Sequence, residues 1–111
     1  MTLEGTLHVS VADTDAVTFE LHVTNTGAEP VTLRFMSGCR ADFAVSTDDT
    51  ERWRFSDGRM FTQAITDERI DPGETTVYDA TWREPDPGTY TASAKLEATD
   101  HPVEATADFS V

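Results

Sequence analysis

The sequence predicts an all-β fold, an immunoglobulin-like antiparallel β-sandwich of about 8–9 strands. Three observations carry this. Apolar residues alternate with polar ones along most of the chain, turn-forming clusters recur roughly every 8–12 residues, and no apolar set repeats at helical spacing over about 11 residues. A chain of 111 residues suits one domain, 1–111, and folding at this size hides roughly two-thirds of the unfolded surface.

The elements follow in order. Leu3, Gly5, Leu7, Val9 and Val11 share one face of a first strand, and Val17, Phe19, Leu21 and Val23 share one face of a second. Folded about the polar stretch Ala12–Ala16, the two place Val11 opposite Val17, Val9 opposite Phe19 and Leu7 opposite Leu21, the register that gives a single apolar face. Asn25 to Pro30 is a turn by composition, and Val31, Leu33 and Phe35 alternate after it. Met36 to Arg40 reads as a loop, Phe43 and Val45 as a short strand, Ser46 to Glu51 as a polar turn. Trp53 and Phe55 alternate, Ser56-Asp57-Gly58 turns the chain, and Met60 to Ile65 is expected to be extended. Asp71-Pro72-Gly73-Glu74 is a strong turn, followed by Thr76, Tyr78, Ala80 and Trp82 at strand spacing. Beyond Pro85-Asp86-Pro87-Gly88, Tyr90, Ala92, Ala94 and Leu96 align against Phe109, Ala107, Ala105 and Val103. The small residues in that last pair call for something bulky above them, with Trp53 and Trp82 as candidates.

Charge sets the next bounds. There are 21 acidic against 8 basic residues, a net charge of −13, and Lys95 is the only lysine. Nucleic acid is excluded as a partner, because phosphate binding needs a basic face. No apolar run approaches the ~18 residues of a membrane span. The lone Cys39 and a start, Met1 to Gly5, without signal-peptide character point to a cytoplasmic protein, if the chain is complete. Acidic residues spread along the whole chain, with nearly all basic ones Arg, resemble proteins of salt-in halophiles; the plainer alternative is an ordinary acidic protein with a basic partner. Self-repulsion at this charge disfavours compaction, and ~1 M salt shortens the screening length to about 3 Å. Thermal melts should therefore rise steeply between low and molar KCl. A melting temperature constant across that range removes the halophile argument.

No constellation supports catalysis or a metal. His8 and His22 fall on the polar face of the first hairpin as diagonal neighbours, with no third ligand at matching spacing. Asp48, Asp49 and Glu51 lack the spaced ligands and central glycine of a calcium loop and read as a solvated turn. Cys39 has no base placed beside it, and no cofactor motif occurs. Two segments stand apart: Ser37-Gly38-Cys39-Arg40 and Ser56-Asp57-Gly58-Arg59-Met60-Phe61. Each sets an arginine and apolar residues beside a glycine turn, and strand order allows both at one end of a sandwich, where binding loops gather.

At these segments the chain resembles the BsuPI-type intracellular proteinase inhibitor family. The resemblance runs through Phe35-Met36-Ser37-Gly38-Cys39-Arg40-Ala41-Asp42-Phe43, through Trp53-Arg54-Phe55-Ser56-Asp57-Gly58-Arg59-Met60-Phe61-Thr62-Gln63, then Pro72-Gly73-Glu74 leading to Trp82, and Gly88-Thr89-Tyr90. These correspond to F-x-SG-x-x-x-DF, W-x-x-S-x-G-x-x-F-T-Q, PGE and GTY blocks, in order, over about residues 17–97. Cys39 and Ala41 depart from it, standing where a polar residue and an aromatic are more usual.

Membership would imply an immunoglobulin-like sandwich and inhibition of an intracellular subtilisin-like serine protease; with no catalytic constellation the chain is expected to be non-enzymatic, and it is expected to be a monomer. With the charge pattern, it points to a haloarchaeal member. The contact residues expected are Ser56, Asp57, Gly58, Arg59, Met60 and Phe61, then Ser37, Gly38, Cys39 and Arg40. Met60 or Met36 suits an apolar protease pocket, and Arg59 suits an acidic one. The alternative is a β-sandwich interaction module with some other protein partner.

Overall fold

The structure, a computed structural model, describes residues 3–12 and 16–111. The predicted connection at 13–15 lies outside them. Among the described residues nine strands occur: β1 (Leu3–Ala12), β2 (Ala16–Asn25), β3 (Val31–Phe35), β4 (Ala41–Thr47), β5 (Thr50–Arg54), β6 (Thr66–Ile70), β7 (Thr75–Arg83), β8 (Thr89–Leu96) and β9 (Glu104–Ser110). All pairings are antiparallel, and among the described residues there is no helix, so none is long and apolar enough to cross a membrane.

One sheet has the order β1-β2-β7 and the facing sheet β5-β4-β8-β9, with β3 and β6 forming a two-stranded annex. The first hairpin has the register that alternation dictates, Val11↔Val17, Val9↔Phe19 and Leu7↔Leu21. The last does too, with Tyr90↔Phe109, Ala92↔Ala107 and Ala94↔Ala105. A one-residue slip in either would turn a whole apolar set to water, which is why the pattern fixes the pairing. Between β4 and β5, Asp48 and Asp49 both have positive φ (50° and 64°), the conformation of a type I′ hairpin turn whose twist matches that of paired strands.

The core lies between the two sheets and is aromatic at its centre. Phe19 of β2 has no solvent exposure. Its ring lies 6.4 Å from Phe43, 5.7 Å from Trp53 and 5.6 Å from Phe109. Phe43 pairs with Ala94 and Phe109 with Tyr90, so the small residues of β8 leave the space that Phe19 enters from the opposite sheet. Trp53 and Trp82 stack on each other at 6.2 Å, half-buried, with Trp53 beside Phe19 and Trp82 against Tyr90 of β8. The side of the sandwich where β1 meets the start of β9 is tight. A Cβ on Gly5 would come within 2.5 Å of the Val103 Cγ1, so glycine is the residue this approach permits.

Two expectations need correction. Residues 59–65 form no strand, and the extended element there is β6, beginning at Thr66 and paired to β3. The two candidate loops do not sit at an end of the sandwich. The chain after β8 continues past β4: Glu97 N–H donates to Arg40 O at 2.9 Å, and Thr99 N–H to Arg34 O at 3.0 Å, with a bridge between Phe35 and Ala98. β3 and β4 thus run end to end beside one partner, and Met36–Arg40 is an excursion from an otherwise continuous path. β5 covers one half of that path and β6 the other. The segment 55–65 connects the end of β5 to the start of β6.

Candidate functional site

The two segments meet. Gly38 N–H donates to Thr62 O at 2.9 Å, and a Cβ on Gly38 would stand 3.0 Å from the Thr62 hydroxyl. A side chain here would need the Thr62 hydroxyl to give by a few tenths of an ångström. Ser37 Oγ accepts from Cys39 N–H at 3.2 Å and so closes the excursion on itself.

The second segment is organised by a residue that sequence reasoning did not select. Asp42, 8% exposed, is a buried carboxylate within the apolar run Ala41–Val45. Its Oδ1 accepts from the backbone N–H of Phe43 at 3.0 Å and of Ser56 at 3.1 Å. Its Oδ2 accepts from Arg54 Nη1 at 3.0 Å and from the Ser56 hydroxyl at 2.8 Å. Burying a polar group is costly unless it is hydrogen-bonded, and these four donors give the Asp42 side chain its partners. Arg54 also bonds Glu51, and its guanidinium is held charged by the Glu51 hydrogen bonds first and Asp42 second. The signal in the sequence was a single charge set among core residues.

From Ser56 the chain turns through Asp57, whose N–H donates to Arg54 O at 3.2 Å, and through Gly58 at φ +71°, a conformation that favours glycine. Arg59 folds back so that its guanidinium carbon lies 4.3 Å from the centre of the Phe55 ring. Phe61 turns inward, 6.1 Å from the same ring. Met60, between them, is 99% exposed.

Beside this loop lie two shallow depressions. One, of about 240 Å³, is bounded by Gly38–Ala41, Phe43, Phe55, Phe61 and the middle of β7, Val77 to Asp79. The other, of about 370 Å³, lies between Met36, Ser37, Cys39, Ser56, Arg59, Phe61 and Glu97. Met36 beside the second depression and Val77 beside the first are exposed apolar side chains, as are Met60 and Ile65 on the span 55–65. Arg40 is held to one side, 2.8 Å from Glu68, which also accepts from the Tyr78 hydroxyl at 3.0 Å. Of the ten residues selected from the sequence, Ser37, Gly38, Cys39, Arg40, Ser56, Arg59 and Phe61 line these depressions, and Asp57, Gly58 and Met60 lie on the loop beside them. Asp42 and Val77–Asp79 line them too, and Thr62 ties the loops together through Gly38.

Cys39 lines both depressions, half-buried, with its Sγ 3.6 Å from Ala41 O. Burial first, then the Asp42 and Glu97 carboxylates, raise its pKa. A thiol reagent should label it without denaturation, because it is partly exposed, but more slowly at neutral pH than a free cysteine. The rate should keep climbing beyond pH 9.0 as the thiolate finally forms. Labelling only after unfolding, or a rate already level below that pH, would contradict this environment.

His8 and His22 are neighbours, as diagonal placement implies, with ring centres 4.3 Å apart and His22 Nε2 3.3 Å from Glu20. Among the described residues no three His, Cys, Asp or Glu side chains converge as a metal site would require.

The backbone resembles domains of diverse proteins. A CARDB domain from Pyrococcus furiosus, by solution NMR, is 20% identical with a TM-score of 0.54, the match covering 99% of this chain and 94% of that one. The crystal structure of that domain in complex with di-metal ions gives 20% identity and a TM-score of 0.55, covering 98% and 86%. A β-glucosidase from Kluyveromyces marxianus is 15% identical with a TM-score of 0.54, covering 99% of this chain but 14% of the enzyme. At these identities the likeness shows the fold alone. No curated protein matches the chain.

A family model described as intracellular proteinase inhibitor, of the BsuPI type, matches residues 3–101. The geometry gives its motif-like blocks a physical meaning. Asp42 of the first holds Ser56 of the second, Gly38 holds Thr62, and Gly73 N–H of the PGE turn donates to Asn25 O at 2.9 Å. Tyr90 of the GTY block donates to Asp86 O at 2.6 Å and packs 5.1 Å from Trp82. With 3–101 matched, the chain belongs to the BsuPI intracellular proteinase inhibitor family.

Proposed function

We propose that this protein inhibits a subtilisin-like serine protease by setting Met60 into an apolar pocket of the protease cleft. The observation that carries the reading is the 99% exposure of Met60 on a loop fixed on both flanks, by Asp42 at Ser56 and by Gly38 at Thr62. A large apolar side chain left in water gains most from a partner that covers it, and a loop already ordered loses little entropy on docking. Arg59 is drawn onto Phe55, an attraction worth about 0.5–1 kcal/mol at an exposed site, so Met60 rather than Arg59 is presented. The subtilisin-like class is the expectation that the resemblance to the family carries. Monomeric action is supported by the net charge of −13 and by exposed Glu51 and Arg52 on edge strand β5. The same acid excess fits the cytoplasm of a salt-in, haloarchaeal cell.

Titration of the purified domain against subtilisin-like proteases, in low and molar KCl, tests the reading. Met60→Asp should weaken inhibition by roughly 30- to 1000-fold, since an unpaired charge in an apolar pocket costs about 2–4 kcal/mol. It should melt with the parent, because Met60 has no core contact to lose. Val31→Thr, in the core, should lower the melting temperature and leave affinity unchanged. A folded Met60→Asp domain that inhibits as well as the parent removes this loop from the interface. A parent inactive at every salt concentration leaves the interaction-module reading.

A further inference from the structure

We propose that Met60 is a site of reversible oxidation by peroxides, and that its oxidation switches off the docking loop without unfolding the domain. The proposal rests on the inhibitor reading for its consequence, and on the structure for its site. Of the two methionines among the described residues, Met60 is 99% exposed and Met36 is 49% exposed. The Met60 thioether is therefore open to a peroxide from every side, whereas Met36 lies against a depression shared with Cys39 and Phe61.

The chemistry is a two-electron transfer. The thioether sulfur attacks one oxygen of hydrogen peroxide, the O–O bond breaks as the S–O bond forms, and the departing hydroxide takes a proton to leave as water. A dithiol reverses it: the sulfoxide oxygen leaves as water while the two thiols become a disulfide. The sulfoxide is polar and chiral, so it forfeits entry into an apolar pocket. The lone cysteine is the usual suspect for such a response, but reaction with peroxide needs a thiolate, and the Cys39 thiol is half-buried beside Asp42 and Glu97. The redox-responsive atom of this surface is thus the one at the loop apex.

The test is graded oxidation of the purified domain with hydrogen peroxide at neutral pH, read by peptide mass spectrometry, thermal melting and inhibition. Met60 should gain one oxygen first, several-fold faster than Met36 and before Cys39 changes. The melting temperature should hold, and inhibition should fall about tenfold or more, the cost of forcing a polar group into an apolar site. A sulfoxide reductase with a dithiol should restore it, and in Met60→Leu, whatever its starting affinity, peroxide should cause no further loss of inhibition. Cys39 or Met36 reacting first overturns the site, and undiminished inhibition with Met60 fully oxidised overturns the switch. A parent that inhibits no protease even before oxidation is a different result: it overturns the inhibitor reading and the switch with it.

Discussion

Phe19→Ala should cost about 3–5 kcal/mol of folding stability, the loss expected when a fully buried aromatic leaves a cavity that its neighbours cannot close. Phe19 is the side chain through which β2 of one sheet reaches β4, β5 and β9 of the other, by its contacts with Phe43, Trp53 and Phe109. Offset and edge-on aromatic pairs add to the simple area term, and three would go at once. For a domain whose whole stability is of order 5–15 kcal/mol, the urea midpoint should fall by about 2 M. In low salt, where self-repulsion is strongest, the variant should be largely unfolded. Phe19→Leu, which refills part of the space, should cost distinctly less. A midpoint within a few tenths of the parent for Phe19→Ala would mean that the two sheets are held by other contacts.

Asp42→Ala should be nearly as damaging, at about 2–4 kcal/mol, and should harm the loop more than the core. It orphans two backbone N–H groups, the Ser56 hydroxyl and part of the Arg54 guanidinium. Removing one partner of a buried, hydrogen-bonded pair costs about 3–5 kcal/mol, reduced here because Arg54 is partly exposed and keeps Glu51. Asp42→Asn retains an acceptor for the two N–H groups but turns an NH₂ toward Arg54 and Ser56, so it should fall between. Hydrogen exchange at the Ser56 amide should accelerate in both, and thermal melts give the ranking. Asp67→Ala breaks an exposed pair with Arg34 and should leave the melt unchanged. If Asp42→Ala does the same, Asp42 does not anchor the turn.

What the sequence revealed and concealed follows from where burial writes a pattern. β1, β2, β8 and β9 each bury one face, so alternation alone recovers the residue pairs Val9↔Phe19 and Ala92↔Ala107. β6, Thr66-Asp67-Glu68-Arg69-Ile70, buries only Ile70 and carries charge at three successive positions, so it bears no period-two apolar mark. The alignment of β3 and β4 along one path depends on backbone bonds from Glu97 and Thr99, which side-chain identity does not report. Both candidate loops were legible through their glycines and their resemblance to a family. Strand order allowed them to be close, but not the contact that joins them, because Gly38 meets Thr62 across 24 residues through main-chain atoms. Asp42 had a mark of its own, a single charge inside Ala41–Val45, easily lost among 21 acidic residues.

The excursion of Met36–Arg40 and the span 55–65 are inserted where strand pairing is already secured on either side, by β4 with β5 and by β3 with β6. That makes this flank a natural grafting point. Loop-closure entropy grows so slowly that doubling a loop's length costs only about 0.6 kcal/mol. Residues 57–61 can therefore be exchanged for longer or differently shaped sequences, provided Asp42, Ser56, Gly38 and Thr62 stay as the clamp. Libraries built on those five positions would turn a single acidic scaffold into binders of many cleft shapes, selected at the salt concentration in which they are to be used.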